Sequence, residues 1–296
     1  MYKGITASLA AILAIALLAF SASAEAKSKK PAPLITISAQ SPVAVGNKAI
    51  ATATATCPGK TRAVGGGFLE STPIATPTAS AQGSVYESLK VDQKSWRTSS
   101  QLFATGTASL NLTTYVNCRR HMPPTTTSTV TLPQANGPAI DQPVTATCAG
   151  ALKAIAGGFS TPPPFTPTNG STVVIDSLRS GTQSWTSQLL ALGTASTLTS
   201  YAYCAKAKKS STPQVRSPAP FNTGETATAT APCVGKKRQA LAGGFSTPDA
   251  IATTTPPGSL SFYIPYESQR IGNAWRVSGM FAGGPRGSIV STGYCV

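Results

Sequence analysis

Small apolar residues alternate with threonine in one stretch of the chain after another. Ala51, Ala53 and Ala55 alternate with Thr52, Thr54 and Thr56, and the run ends at Cys57 on the apolar side. Val144, Ala146 and Cys148 repeat the pattern, as do Ala227, Ala229, Ala231 and Cys233. A second set of alternating runs ends at the other three cysteines: Leu112, Thr114, Val116 and Cys118; Leu198, Ser200, Ala202 and Cys204; Ile289, Ser291, Gly293 and Cys295. Period two places each of these sets on one face of a strand. With 24 Pro and 26 Gly in 296 residues, long helices are disfavoured. The pattern predicts an all-β, antiparallel chain with every cysteine on a small-residue, buried face.

The runs belong to three copies of one longer pattern. The first reads Cys57, Val64-Gly65-Gly66-Gly67-Phe68, Glu87-Ser88-Leu89-Lys90, Trp96, then Tyr115-Val116-Asn117-Cys118. The second reads Cys148, Ile155-Ala156-Gly157-Gly158-Phe159, Asp176-Ser177-Leu178-Arg179, Trp185, then Tyr201-Ala202-Tyr203-Cys204. The third reads Cys233, Leu241-Ala242-Gly243-Gly244-Phe245, Glu267-Ser268-Gln269-Arg270, Trp275, then Gly293-Tyr294-Cys295. All three tryptophans and all six cysteines fall into this scheme. Six cysteines allow about 15 pairings, but one pair per copy, on small faces that let backbones approach, predicts Cys57–Cys118, Cys148–Cys204 and Cys233–Cys295. Glycine inside a strand marks a bulge or a close backbone approach, and Val64, Gly66 and Phe68 are expected on one face. The copies span 46–120, 144–206 and 224–296, joined by Thr-, Ser- and Pro-rich linkers at 121–143 and 207–223. They fit either three sandwich-like units strung as beads or a body packed about a pseudo-three-fold axis; touching, separate units are the expectation.

The N-terminus reads as a secretory signal over 1–24. Lys3 precedes an apolar run from Ile5 to Phe20, and A-x-A cleavage patterns follow at Ala22-Ser23-Ala24 and Ala24-Glu25-Ala26. That run falls short of the roughly 20 residues of a bilayer span. Residues 25–45 read as a basic leader. Export places the cysteines in an oxidising compartment, secreted, periplasmic or at the cell surface. Lys and Arg number 24 against 9 Asp and Glu, a formal net charge of +15. A sparse but one-signed charge favours a polyanionic partner such as a cell-wall polymer or an acidic glycan.

Little in the sequence points to catalysis. The one histidine, His121, sits beside Arg119 and Arg120 in a linker, and no cluster has metal-ligand spacing. No cofactor is expected. The recurring positions are the ligand-binding candidates: Glu87, Lys90 and Trp96; Asp176, Arg179 and Trp185; Glu267, Arg270 and Trp275. An indole in each copy could stack on a sugar ring, but a Trp starting a strand, with Leu102 and Phe103 or Leu189 and Leu190 close behind, is more often core. An acid and a base three apart on a strand face opposite ways, so each is expected to pair across strands. Pro- and Thr-rich excursions, 71–84, 161–172 and 247–259, follow each Phe and are the natural place for a functional loop.

The order Cys57-Pro58-Gly59, Gly65 to Phe68, Trp96 and Tyr115 to Cys118 resembles a repeat of secreted bacterial proteins of mostly unknown function. The resemblance covers nearly all the chain after residue 45, although the second and third copies lack the proline after cysteine. A fainter similarity is to the three-fold β-prism of vitelline-membrane outer-layer proteins, whose repeats are shorter. The first resemblance implies export and assigns no activity. The expected function is therefore non-catalytic: binding of a polyanion or glycan, or a structural role, at the cell envelope or exterior. The competing expectation is an enzyme inhibitor or hydrolase working through a long loop.

Overall fold

The computed structural model describes residues 33–71, 81–104, 108–134, 137–164, 172–193, 196–206, 212–217, 224–235, 238–252, 260–282 and 287–296. The expected signal segment and the basic start of the leader lie outside these residues, as does most of each Pro/Thr-rich excursion. Among the described residues there is no helix. The first copy supplies β1 (Leu34–Gln40), β2 (Ala44–Val45), β3 (Ile50–Thr56), β4 (Thr61–Glu70), β5 (Ala81–Lys90), β6 (Ser95–Ala104), β7 (Ser109–Leu110) and β8 (Leu112–Arg120). The second supplies β9 (Thr126–Pro133), β10 (Gly137–Ile140), β11 (Val144–Thr147), β12 (Lys153–Ser160), β13 (Thr172–Ser180), β14 (Ser184–Gly193) and β15 (Thr197–Ala205). The third supplies β16 (Gln214–Ser217), β17 (Thr226–Pro232), β18 (Ala240–Ser246), β19 (Ile251–Ala252), β20 (Leu260–Ile271), β21 (Ala274–Ala282) and β22 (Ile289–Cys295).

These strands form three large antiparallel sheets and the small ribbon β2-β7. The first sheet is ordered β1-β8-β4-β20-β21-β17, with β19 beside β20; the second is β3-β6-β5-β12-β15-β9; the third is β10-β14-β13-β18-β22-β16, with β11 beside β14. Each sheet is therefore made by two copies. Strands β3, β5 and β6 of copy one meet β9, β12 and β15 of copy two; β10, β11, β13 and β14 of copy two meet β16, β18 and β22 of copy three; and β17, β19, β20 and β21 of copy three return to β1, β4 and β8 of copy one. The copies are thus not separate sandwich-like units: each divides its strands between two sheets and closes no sheet alone. The expected boundaries shift for the same reason. The leader contributes β1, which pairs with β8, and the linkers contribute β9 and β16, which pair with β15 and β22.

The alternation holds in detail. β3 and β17 bury every second residue, and Cys57, Cys148 and Cys233 are buried with the small faces that precede them. The three disulfides pair as the repeats predict, Cys57–Cys118, Cys148–Cys204 and Cys233–Cys295, each with Cα atoms 5.6 Å apart. Their placement adds what spacing cannot show. Cys57 ends the strand that edges the second sheet while Cys118 lies in the first; the other two bonds join third to second and first to third. Every pair of large sheets is stapled once.

The glycines mark both a bulge and a close approach. Register slips at Val64, Ile155 and Leu241, just before each glycine pair. The bulge breaks the period-two parity, so Val64 does not share a core with Phe68. Val64 packs with Ile155 and Leu241, whereas Phe68, Phe159 and Phe245 belong to a different cluster. There Phe245 meets the other two edge-on, with centroids 6.2 and 6.0 Å away. A Cβ on Gly66, Gly157 or Gly243 would overlap the indole of Trp96, Trp185 or Trp275, and one on Gly67, Gly158 or Gly244 would strike the carbonyl of Ser268, Ser88 or Ser177 from the neighbouring copy.

Candidate functional site

The nine candidate residues resolve into two structural devices. The indoles of Trp96, Trp185 and Trp275 are about 98–99% buried, lying flat on the glycine backbone. Each Nε1 donates to the serine of the acid-Ser motif: Ser88 at 3.0 Å, Ser177 at 2.9 Å and Ser268 at 3.0 Å. With no face open to water, they cannot stack on a sugar and are removed as ligand candidates.

The acids follow a second bulge, at Tyr86, Ile175 and Tyr266. Glu87 pairs across the β5-β6 hairpin with Arg97, whose Nε and Nη2 donate at 2.6 and 2.9 Å, and also accepts from Ser99 at 3.1 Å. Glu267 accepts from Gln269 at 2.6 Å, Arg276 at 2.7 Å and Ser278 at 2.6 Å. These carboxylates are saturated by their own sheet. Asp176 differs, because the position after Trp185 is Thr186 rather than arginine. It accepts from the Thr247 backbone N–H at 2.9 Å across the boundary with copy three, and its burial raises its pKa.

The bases seal the junctions between copies. Lys90 lies over the Tyr203 ring, 5.9 Å from its centroid, while its backbone N–H donates to the Tyr203 hydroxyl at 2.7 Å. Arg179 lies over Tyr294 at 4.5 Å. At the third junction the aromatic is replaced by Asn117. Arg270 there donates to Thr36 Oγ1 at 3.0 Å, and Thr36 donates to Asn117 Oδ1 at 2.8 Å. Burial lowers the pKa of both arginines.

What these devices leave open to solvent is an end of the molecule. The registers place the disulfides, the β5-β6, β13-β14 and β20-β21 turns and the starts of β4, β12 and β18 together at one end of the three sheets. Thr56 lies opposite Ser95, Thr147 opposite Ser184 and Pro232 opposite Ala274, each beside its cysteine. Lys60, Lys94, Arg120, Lys206 and Arg238 are exposed there, with Arg62, Arg119 and Lys153 half-buried among them. The described acid at this end is Asp92, which caps its own turn by accepting from the N–H groups of Lys94 and Ser95 at 2.6 and 2.8 Å. Glu225 and Asp249 lie at the opposite end, with Lys48, Arg216 and the fully buried Glu70. Cations are therefore concentrated at the disulfide-bearing end. The turns are held rather than loose: Lys94 Nζ donates to Gly59 O at 2.7 Å, and Asn273 exchanges bonds with Cys233, receiving one at 3.3 Å and giving one at 3.2 Å.

Sequence reading passed over Glu70. It is 1% exposed, receives the Ser100 hydroxyl and has Gly83 against its carboxylate. The equivalent positions, two after each Phe, are Thr161 and Thr247, so an acid where the other copies carry threonine was the available signal. Burial pushes its pKa up to about 8, and burial pulls that of Lys90 down to about 8. From pH 4.5 to about 8 the unfolded chain ionises Glu70 while the fold keeps the proton. Stability is thus full below this window and falls as pH rises, by at most about 1.4 kcal/mol per unit. From about 8 to 10.5 the unfolded chain still holds the Lys90 proton that the fold has released, so stability rises again. Urea midpoints should pass through a minimum near pH 8. Glu70→Gln should flatten the acid limb and Lys90→Met the alkaline one; unchanged limbs would mean that neither group carries the dependence.

Among the described residues no three His, Cys, Asp or Glu gather as a metal site, and no helix is long and apolar enough to cross a membrane. No protein-family model matches the chain, and no curated protein matches it.

Proposed function

We propose that this is an exported, non-catalytic protein that binds a polyanion through its disulfide-bearing basic end. The observation that carries this reading is the concentration of cations: Lys60, Lys94, Arg120, Lys206 and Arg238 are exposed at the end that holds Asp92 alone among the described acids. A low-dielectric body with cations fixed on rigid turns concentrates positive potential over one surface, which steers and holds an extended anion. Three disulfides fit an oxidising, extracytoplasmic location. The buried indoles and saturated carboxylates shift the emphasis from sugar stacking to charge.

Heparin and polyphosphate are suitable probes for the oxidised protein. Binding should weaken steeply between low and high salt, as exposed charge contacts do. The triple variant Lys94→Glu, Arg120→Glu, Arg238→Glu should elute from heparin at much lower salt, whereas Lys48→Glu at the opposite end should elute as the wild type does. Equal effects from the two ends, or no retention at low salt, would refute the reading.

A further inference from the structure

The basic end also carries exposed aliphatic side chains, which a site for a soluble polyanion alone does not require. Val234 is 80% exposed, and Val91 and Ile271 are each 40% exposed. Val91 opens the turn after β5 and Ile271 closes β20 before the corresponding turn in copy three; copy two has Ser180 at this position. All three aliphatics therefore lie at the disulfide-bearing end, on turns of copies one and three. The β5-β6 turn is bound to β4 through Ala63 N–H donating to Gln93 O at 3.0 Å, and β20 pairs with β4 farther along, at Phe68 and Leu69. Asn273 ties Val234 beside the Ile271 turn by its paired bonds with Cys233. The same end presents Lys60, Arg62, Lys94 and Arg120, with Thr61 opposite Arg120 across β4 and β8.

Cations and exposed aliphatic residues on the turns of one end match a surface that is anionic at its face and apolar just beneath. We infer that the polyanion is the headgroup layer of an anionic lipid bilayer, with Val91, Val234 and Ile271 entering the acyl boundary while the surrounding Lys and Arg contact phosphates. This rests on the polyanion reading above and narrows it. Neither contribution suffices alone: a few partly inserted side chains bind reversibly at best, and exposed cations are screened, but the two together give a stable peripheral attachment. Long Lys and Arg stems extend past the aliphatic tips and keep their charged heads in the headgroup layer.

The test is sedimentation of the oxidised full-length mature protein with vesicles of phosphatidylcholine alone and of phosphatidylcholine with phosphatidylglycerol, run beside heparin chromatography. The wild type should sediment with the phosphatidylglycerol vesicles only. The neutral variant Val234→Ser, Ile271→Ser should lose about 10-fold or more in vesicle affinity, from the transfer of two aliphatic side chains, with heparin elution and melting temperature unchanged. Val234 is 80% exposed; Ile271 is 40% exposed, and the unchanged melting temperature verifies that its replacement leaves the fold intact. Retention on heparin without vesicle binding, or vesicle binding indifferent to the serine pair, would overturn the lipid inference and leave the polyanion reading standing. Failure to bind either probe would overturn both.

Discussion

Gly158→Ala should cost about 3 kcal/mol or more, and Gly158→Val should prevent the oxidised chain from reaching its native state. An added Cβ at this position strikes the carbonyl of Ser88 and comes to 3.1 Å of the Leu89 Cα. Both are backbone atoms of a neighbouring strand, so the crowding cannot be relieved by a rotamer change. Overpacking a well-packed site typically costs about 1–3 kcal/mol even where side chains can yield, and here the obstacle is the seam that joins copy one to copy two. Phe159 lies opposite Ser88 and Ser160 opposite Glu87 in that seam, the register through which the second sheet is continuous. Gly67 and Gly244 face the carbonyls of Ser268 and Ser177 at the other two seams, so their alanine variants should behave alike. Thr54→Ala, on an exposed edge of the same sheet, should shift stability by about 0.5 kcal/mol or less. Chemical denaturation of the four alanine variants makes the comparison. Parity between Gly158→Ala and Thr54→Ala would mean the seam opens freely, and the sharing of sheets would lose its energetic basis.

The glycines were legible in the sequence and their partners were not. A Gly pair within a strand pattern announces crowding, but period two says only which side of a strand a residue occupies, never which strand lies across from it. The repeats therefore read equally well as closed units or as units sharing strands. What decides the matter is long-range pairing, such as β4 with β20, whose partners Phe68 and Ser268 lie in the first and third copies. The edge strands were missed for a related reason. β9 is exposed along most of its length and offers only Val130 and Leu132 as an apolar signal; its place rests on Val130 against the core, backbone pairing with β15 and contacts such as Thr131 to Thr199 at 2.7 Å. The cysteine pairing was readable because it needed only one bond per copy on small-residue faces. The basic surface was readable as a net charge but not as an end, since Lys60, Lys94 and Arg120 are brought together by registers rather than by sequence. Cross-strand pairing of the acids was expected, and the structure supplies Arg97 and Arg276 for Glu87 and Glu267; the second copy breaks the rule because Thr186 stands where the arginine would be.

Removing one disulfide should destabilise the whole molecule rather than a single copy. Cys148→Ala with Cys204→Ala releases a sequence separation of 56 residues, and the other two bonds span 61 and 62. A loop of this size corresponds to about 4 kcal/mol in the chain-entropy account. For a chain of this length that is a fall in melting temperature of roughly 8–16 °C. Placement makes the effect global. Cys148 follows β11 in the third sheet and Cys204 lies in β15 of the second, so the lost bond opens one of the three corners that hold the sheets to one another. The second and third sheets also contain strands of copies one and three, and these cannot keep their pairing while copy two unfolds. The variant should consequently melt in one cooperative transition at the lower temperature, with tryptophan fluorescence and far-ultraviolet circular dichroism coincident. Each copy has its own buried indole, so fluorescence samples all three. Two resolved transitions, with about one third of the signal lost first, would show that copy two unfolds alone and that the shared sheets do not bind the copies into one thermodynamic unit.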